Sequence, residues 1–238
     1  MITPVIEARN VSKVLGAGAG QVRALKNIDL SIAGGELTVL MGPSGSGKTT
    51  LLSILGCMLA PTEGSVLVSG HATQGAGPEQ LASIRRQHIG FVFQTFHLFP
   101  TLTAEENVHL ALDVRGEQRR RAKAKSRQVL ERVGLGHKAT SFPRDLSGGE
   151  QQRVAIARAI VAEPSAILAD EPTAALDGTN GQAIMTILTG IARDHGRAVL
   201  VVTHDTRLLE FAGRILYIED GALTHEEQRR ANVYRLRA

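Results

Sequence analysis

One cysteine, Cys57, is all the thiol chemistry that 238 residues offer, so an intrachain disulfide and a cysteine-built zinc cluster are both excluded. Cys57 lies in an apolar helical stretch, where a thiol packs as a small hydrophobe, and it is given no function. Long apolar runs are scarce as well. No segment reaches the roughly 18 uncharged apolar residues that a spanning helix needs, and Met1 to Glu7 lack the basic-then-apolar order of a secretory signal. The expectation is a protein that stays in the cytoplasm unless a partner recruits it. No internal repeat is visible, which points to one module rather than a fused pair.

Strong charge of one sign is missing too. The formal net charge is only +4, which by itself is weak support for nucleic-acid or anionic-membrane contact, and no nucleic-acid partner is expected. The basic run Arg119, Arg120, Arg121, Lys123, Lys125 and Arg127 falls on one helical stretch and reads as a solvated face. The same reading applies to Arg229, Arg230, Arg235 and Arg237 near the C-terminus.

What is present is an ordinary globular composition, 43% hydrophobic and 21% charged with both signs interspersed, sufficient for one sizeable core. Short β-rich runs alternate with helical patterns: Leu37 to Met41, Ala166 to Ala169 and Ala198 to Thr203 are each followed by turn chemistry and a helix. That alternation predicts an α/β fold with a parallel sheet. After Thr179, Ile184, Ile187, Leu188 and Ile191 recur on one helical face, while Val199 to Val202 reads as a strand buried on both faces. Nearer the N-terminus, Val5 to Ala8, Ile28 to Ile32 and Ser65 to Val68 have a more antiparallel character and predict a mixed β region. From about Gln94 to Ala162 the pattern turns helical, with Thr103 to Val114, Gln118 to Val133 and a helix starting near Gly149.

The strand Leu37 to Met41 runs into Gly42-Pro43-Ser44-Gly45-Ser46-Gly47-Lys48-Thr49, followed by the helical stretch Thr50 to Met58. This is the Gly-x-x-x-x-Gly-Lys-Ser/Thr phosphate loop in its strand-loop-helix setting. Glycines let the backbone turn tightly and aim N–H groups at phosphate, and the helix start adds roughly half an elementary positive charge. Lys48 is expected on the β- and γ-phosphates and Thr49 on Mg²⁺, with Ser44 and Ser46 supporting the loop. Alone, the loop does not separate kinases, GTPases and ATPases.

A second anion-binding terminus follows at Ser147, Gly148 and Gly149, where a glycine pair leads into a helix with Ser147 as hydroxyl donor or cap. The full run, Leu146-Ser147-Gly148-Gly149-Glu150 and then Gln151-Gln152-Arg153-Val154-Ala155-Ile156-Ala157-Arg158-Ala159, resembles the signature of the ABC ATPases. Further matches appear in that family's order. Gln94, after Ile89 to Phe93, resembles the Q-loop glutamine that approaches Mg²⁺. Ile167 to Glu171 resembles Walker B, Ala174-Ala175-Leu176-Asp177 the D-loop, and His204 the switch histidine.

The resemblance covers roughly Ile6 to Gly221 and implies a P-loop NTPase of ABC type, α/β, with a mixed sheet core, an antiparallel β region and an inserted helical subdomain. As a single domain over 1–238, it would have a RecA-like core at about 1–93 and 163–222. The helical subdomain would span about 94–162 and a C-terminal tail about 223–238. By resemblance, ATP binds at Gly42 to Thr50, at Gln94 and, from a second copy, at Ser147, Gly148 and Gly149. Mg²⁺ is held by Thr49, Gln94 and Asp170, and catalysis rests on Glu171, His204 and Lys48. The partners implied are a second copy of the chain in the ATP-bound state and a membrane permease that brings it to the cytoplasmic face of the cell membrane.

Within the family, the segments Gly42 to Thr49, Gln94 to Leu98 and Gly149 to Arg153 are most similar to the lipoprotein-releasing and macrolide-exporter group, glycolipid exporters included. An importer ATPase and a non-transport ABC ATPase acting on ribosomes or DNA stay open as alternatives. One departure stands out: where many relatives carry an adenine-stacking aromatic ring before the turn Gly16 to Gly20, this chain has Val14 and Leu15. Looser adenine discrimination is expected, because stacking on an aromatic contributes on the order of 1–3 kcal/mol. Ala174 also replaces a serine common before the D-loop core.

Overall fold

A computed structural model describes residues 3–229, apart from the side chains of Ala19, Asp194 and His195. The chain opens with a long hairpin, β1 (Ile6–Leu15) and β2 (Val22–Ile32), then β3 (Leu37–Met41), α1 (Lys48–Leu55), β4 (Glu63–Val68) and β5 (His71–Ala72). Next come α2 (Pro78–His88), β6 (Ile89–Val92), α3 (Ala104–Asp113), α4 (Arg119–Arg132) and α5 (Gly148–Ile160). The chain closes with β7 (Ala166–Asp170), α6 (Gly178–His195), β8 (Ala198–Thr203), β9 (Arg214–Glu219) and β10 (Ala222–Gln228).

Two sheets result. One is antiparallel in the order β2-β1-β4-β5, and the other runs β10-β9-β3-β8-β7-β6. In the second, β9, β3, β8, β7 and β6 are parallel and only the edge strand β10 is antiparallel. Continuous apolar runs such as β3 and β8 suit this place because each strand is covered on both faces. Strand periodicity then sorts alternate residues into two cores. Val39, Met41, Ile167, Ala169, Val199 and Val201 meet the helices α3 to α6. Leu40, Leu168, Leu200 and Val202 meet α1 and the antiparallel sheet. Among the described residues, no helix is long and apolar enough to cross a membrane.

Several expected elements have different bounds. The hairpin strands run on to Leu15 and back from Val22, beyond the apolar stretches, because β1 and β2 stay paired, through three register shifts, as far as Leu15 opposite Val22. The helix expected at Thr50 to Met58 starts at Lys48 and stops at Leu55, where Gly56 caps it and Cys57 takes a φ of 56°. Helix α2 is not among the expected elements, since none of its residues is fully buried and its inner face offers only the partly buried Leu81 and Ile84, too short an apolar period to read; its one local sign is Gly77-Pro78, with Gln80 Oε1 accepting from the Gly77 N–H at 3.0 Å. Residues 223–228 of the expected tail belong to β10, whose Glu226 accepts from Arg214 Nε of β9 at 2.8 Å. Arg230, Arg235 and Arg237 lie outside the described residues.

On α4 the basic run is largely answered. Glu117 pairs with Lys125 and Arg121, and Glu105 pairs with Arg127 and Lys123.

Candidate active site

The phosphate loop hangs between β3, at the centre of the parallel sheet, and α1. Two of its glycines are required by geometry. A Cβ on Gly42 would stand 2.1 Å from the Ile218 carbonyl oxygen. Gly47, the residue before α1, has a φ of 101° and brings the position of a Cβ within 2.6 Å of the Ala24 oxygen. The loop is therefore pressed against β9 and β2 by backbone contacts that no side chain permits.

Lys48 opens α1 and is only 8% exposed. Its ammonium donates to the carbonyls of Gly42 at 2.8 Å and Pro43 at 2.7 Å. Gly47 supplies no side-chain cap to the first turn of α1, which leaves backbone donors and the positive end of the helix dipole facing the loop. Ser46 Oγ is buried without a partner. Lys48 and the helix start share one need, an anion with several acceptor oxygens.

The loop floors a cleft of about 870 Å³, lined on the same side by Ser44, Gly45, Thr49 and Thr50. Across it stand Gln94, Asp170, Glu171 and His204, each just beyond or at the end of a neighbouring parallel strand. The sheet order β3-β8-β7-β6 brings together residues that are far apart in the chain, at the carboxyl ends where open α/β sheets bind ligands.

Thr49 Oγ1 donates to Asp170 Oδ1 at 3.4 Å. Burial pushes the Asp170 carboxyl above the ordinary range and Glu171 adds to the shift, against the opposing pull of Thr49 and Lys48. No group of three His, Cys, Asp or Glu residues able to hold a metal occurs among the described residues. The donor set is instead a hydroxyl, a carboxylate and the Gln94 amide, all oxygen-bearing. That set fits Mg²⁺, which keeps water and takes phosphate oxygens rather than an all-protein cage.

The raised carboxyl has a consequence for stability. Its contribution to folding is full below the unfolded value and is lost as pH rises through the folded one, so at neutral pH the ionised Asp170 opposes the fold. Asp170→Asn is therefore expected to raise the melting temperature measured without metal or nucleotide. A lower melting temperature would remove the assigned electrostatic cost.

Glu171 follows Asp170 but points elsewhere, because its backbone is left-handed at a φ of 46°. That conformation is uncommon outside glycine and clusters at functional sites. Its Oε2 accepts from Thr203 Oγ1 at 3.1 Å, and its Oε1 lies 2.6 Å from His204 Nδ1. The Glu171 side chain is 16% exposed and that of His204 is 70% exposed, so one carboxylate is held while its partner reaches into solvent.

Ser147, Gly148 and Gly149 are not brought to this cleft. Ser147 caps α5, accepting from the Glu150 N–H at 3.3 Å while its own N–H donates to Glu150 Oε2 at 2.8 Å. This reciprocal arrangement is worth ~1 kcal/mol to the helix start, and it holds the Glu150 carboxyl below its usual range. Ser147 is exposed, and Gly149 is backed by Asn180, whose Oδ1 stands 2.5 Å from where a Cβ would lie.

At the other end of the cleft Leu15 and Val22, 39% and 63% exposed, face each other across the hairpin. Leu15 lines the cleft as expected, but Val14 does not; its N–H is turned to Thr62 Oγ1 at 3.0 Å. Val22, Arg23, Lys26, Asp220 and Gly221 line the same cleft and were missed. They arrive through strand register and the β9–β10 turn, and no local signal marks them.

The comparisons fall together. A family model described as ABC transporter matches residues 25–174. The lipoprotein-releasing system ATP-binding protein LolD of Bordetella pertussis is 43% identical over 92% of this chain and 95% of its own. The macrolide export ATP-binding/permease protein MacB of Salmonella typhimurium is 44% identical over 94% of this chain, which spans 34% of that protein's length. A dimeric, post-hydrolysis structure of the ATP-binding cassette MJ0796 bound to ADP and Pi superposes with a TM-score of 0.87 at 43% identity, covering 94% of this chain and 99% of that one.

Proposed function

The chain belongs to the ABC transporter family of ATP-hydrolysing subunits, and from that membership we propose that two copies close head to tail around two ATP molecules to drive a separate, exporter-type membrane permease. The observation that carries this reading is the separation of two anion-binding helix starts in one chain. Lys48 lines the cleft, whereas Ser147 is exposed and does not line it. A site that needs both is completed by a second copy, whose Ser147 and Gly149 cap the γ-phosphate held by Lys48 of the first. The dimeric form of MJ0796 supports this arrangement, and the names of the LolD and MacB relatives support the exporter assignment.

Within the cleft, Lys48 exchanges the carbonyls of Gly42 and Pro43 for phosphate oxygens, joined by N–H groups of Gly45, Gly47 and the first turn of α1. Thr49, Asp170 and Gln94 would hold Mg²⁺, which would supply charge neutralisation to the phosphates. Glu171 orients the attacking water and accepts its proton. His204 contacts the same carboxylate and donates to the γ-phosphate, tying hydrolysis to its presence. Leu15 and Val22 hold the base by apolar contact. Ordering of both helix starts by one ligand closes the dimer, and loss of the γ-phosphate contacts reopens it.

A mixing experiment tests the composite site. Lys48→Ala and Ser147→Phe are each expected to be nearly inactive alone. Mixed in equal amounts they form heterodimers holding one intact site, and turnover should return to about a quarter of the unmodified value, as random pairing of a two-fold dimer dictates. No recovery on mixing would show that each chain works with its own Ser147 or alone. Co-purification with a permease encoded beside the chain tests the coupling to transport.

A further inference from the structure

Gln152 is fully buried in α5, in the part of the signature run to which no role has been given. Its Nε2 donates to the Pro172 carbonyl at 2.7 Å and reaches the Phe93 carbonyl at 3.4 Å. Two carbonyl acceptors dictate which way the amide faces, since only the NH₂ end donates. The other end, Oε1, is buried with no partner. A buried amide left half satisfied is costly, and here it is kept where it touches two backbones at once.

Those backbones are informative. Phe93 immediately precedes Gln94, and Pro172 immediately follows Glu171. Along α5, Gln152 lies four residues from Gly148 and three from Gly149, on the same helical face. One side chain thus stands between the Q-loop, the end of the Walker B strand and the signature glycines. A second strap runs parallel to it: Arg158, two turns further along α5, donates to the carbonyls of His97 at 2.5 Å and Phe96 at 2.8 Å. Phe96 and His97 are both left-handed, at φ of 57° and 48°. Arg158 has no carboxylate partner among the described residues, and burial draws its pKa down. Its guanidinium is thus committed to backbone carbonyls. The Phe96 ring in turn reaches within 3.8 Å of where a Cβ on Gly148 would lie.

We propose that Gln152 is a positioning residue for ATP hydrolysis, its amide setting the spacing between Gln94 and Glu171 and tying both to the signature glycines at the head of α5. Arg158 serves the same piece from its far side, so the segment Phe93 to His97 moves with α5. The inference rests on the proposed function, because it gives Gln94, Glu171 and Gly148 roles in one reaction. It adds a residue that touches neither nucleotide nor metal.

The test uses the full chain. Gln152→Met keeps side-chain length and burial but has no donor, so Pro172 and Phe93 lose their tie while the core stays filled. ATP affinity, KM and kcat are measured, with kcat expressed per ATP-binding site counted by equilibrium binding, so that a smaller folded fraction does not imitate a catalytic loss. The expected result is a fall of at least about tenfold in kcat with KM changed by less than about threefold, the mark of an interaction spent on the transition state. A purely structural role leaves kcat per site unchanged, and that outcome overturns the proposal.

Should the methionine variant not fold, Gln152→Glu decides. A carboxyl donates only when protonated, so its kcat should rise relative to the parent as pH falls, and a parallel pH profile counts against the proposal. The unmodified chain is assayed alongside. Absence of ATP hydrolysis there defeats the proposed function itself, a result distinct from a variant that matches an active parent.

Discussion

Glu171→Gln is expected to leave ATP bound and nearly stop its hydrolysis, with a fall in kcat of about 10²–10⁴-fold, the usual contribution of a positioned general base. The substitution is almost isosteric. The amide oxygen can still accept from Thr203 Oγ1, which lies 3.1 Å from Oε2, so the left-handed turn at Glu171 keeps its support. What disappears is the basic oxygen that lies 2.6 Å from His204 Nδ1. ATP affinity should stay within about threefold, because a group acting mainly in the transition state contributes little to ground-state binding. A dimer that closes on ATP and opens on hydrolysis should then accumulate, and light scattering with MgATP should report a doubled mass. Undiminished hydrolysis would take the general-base role away from Glu171, and loss of turnover without any dimer would sever hydrolysis from closure.

The second large effect concerns Lys48. The residue is 8% exposed and its ammonium makes two bonds to carbonyls of its own loop, which in the proposed function phosphate oxygens would replace with full charge complementarity. In Lys48→Ala the fold loses two modest bonds and a buried charge, changes of opposite sign. The melting temperature without nucleotide should therefore stay within about 5 °C of the parent. The nucleotide loses its charge-assisted bonds in a confined site, worth on the order of 3 kcal/mol, or about a hundredfold in affinity. Melting curves with and without MgATP check both halves, since a ligand raises melting temperature only in proportion to its binding. A variant still stabilised by ATP as strongly as the parent would show that the helix dipole and loop amides suffice, and would reduce Lys48 to a structural loop clip.

How far this could be anticipated differs from segment to segment. The strands Leu37–Met41 and Ala198–Thr203 were legible to the residue because a strand covered on both faces is apolar throughout and ends where polar site residues begin. The hairpin of β1 and β2 was only half legible. Its outer part alternates with charged residues such as Lys13 and Arg23, which look like a loop until pairing is known. Helix α2 was hard to read for a different reason, since its inner face offers only the partly buried Leu81 and Ile84, too short an apolar period to stand out.

Candidates carried by contiguous patterns stood out in the sequence, and of these Pro43 to Gly45, Gly47 to Thr50, Gln94, Asp170, Glu171 and His204 line one cleft while Ser147 to Gly149 do not. The cleft's base-side wall was not legible, apart from Leu15, because Val22, Arg23 and Asp220 reach it through register and a turn. Nor was the bond from Gln152 to Pro172, which joins residues from separate elements.

By itself the order of residues determined the class of chemistry: the phosphate loop carries the local geometry for a polyphosphate, and the order of the further motifs, through their resemblance to the ABC ATPases, pointed to its hydrolysis. Only the tertiary structure decided company. The sequence of strands in the sheet, β9-β3-β8-β7-β6, seats Lys48, Gln94, Glu171 and His204 around one cleft and leaves Ser147 outside it. Such neighbours are chosen by burial of whole faces against one another, a cooperative sum over the entire chain that no local window contains.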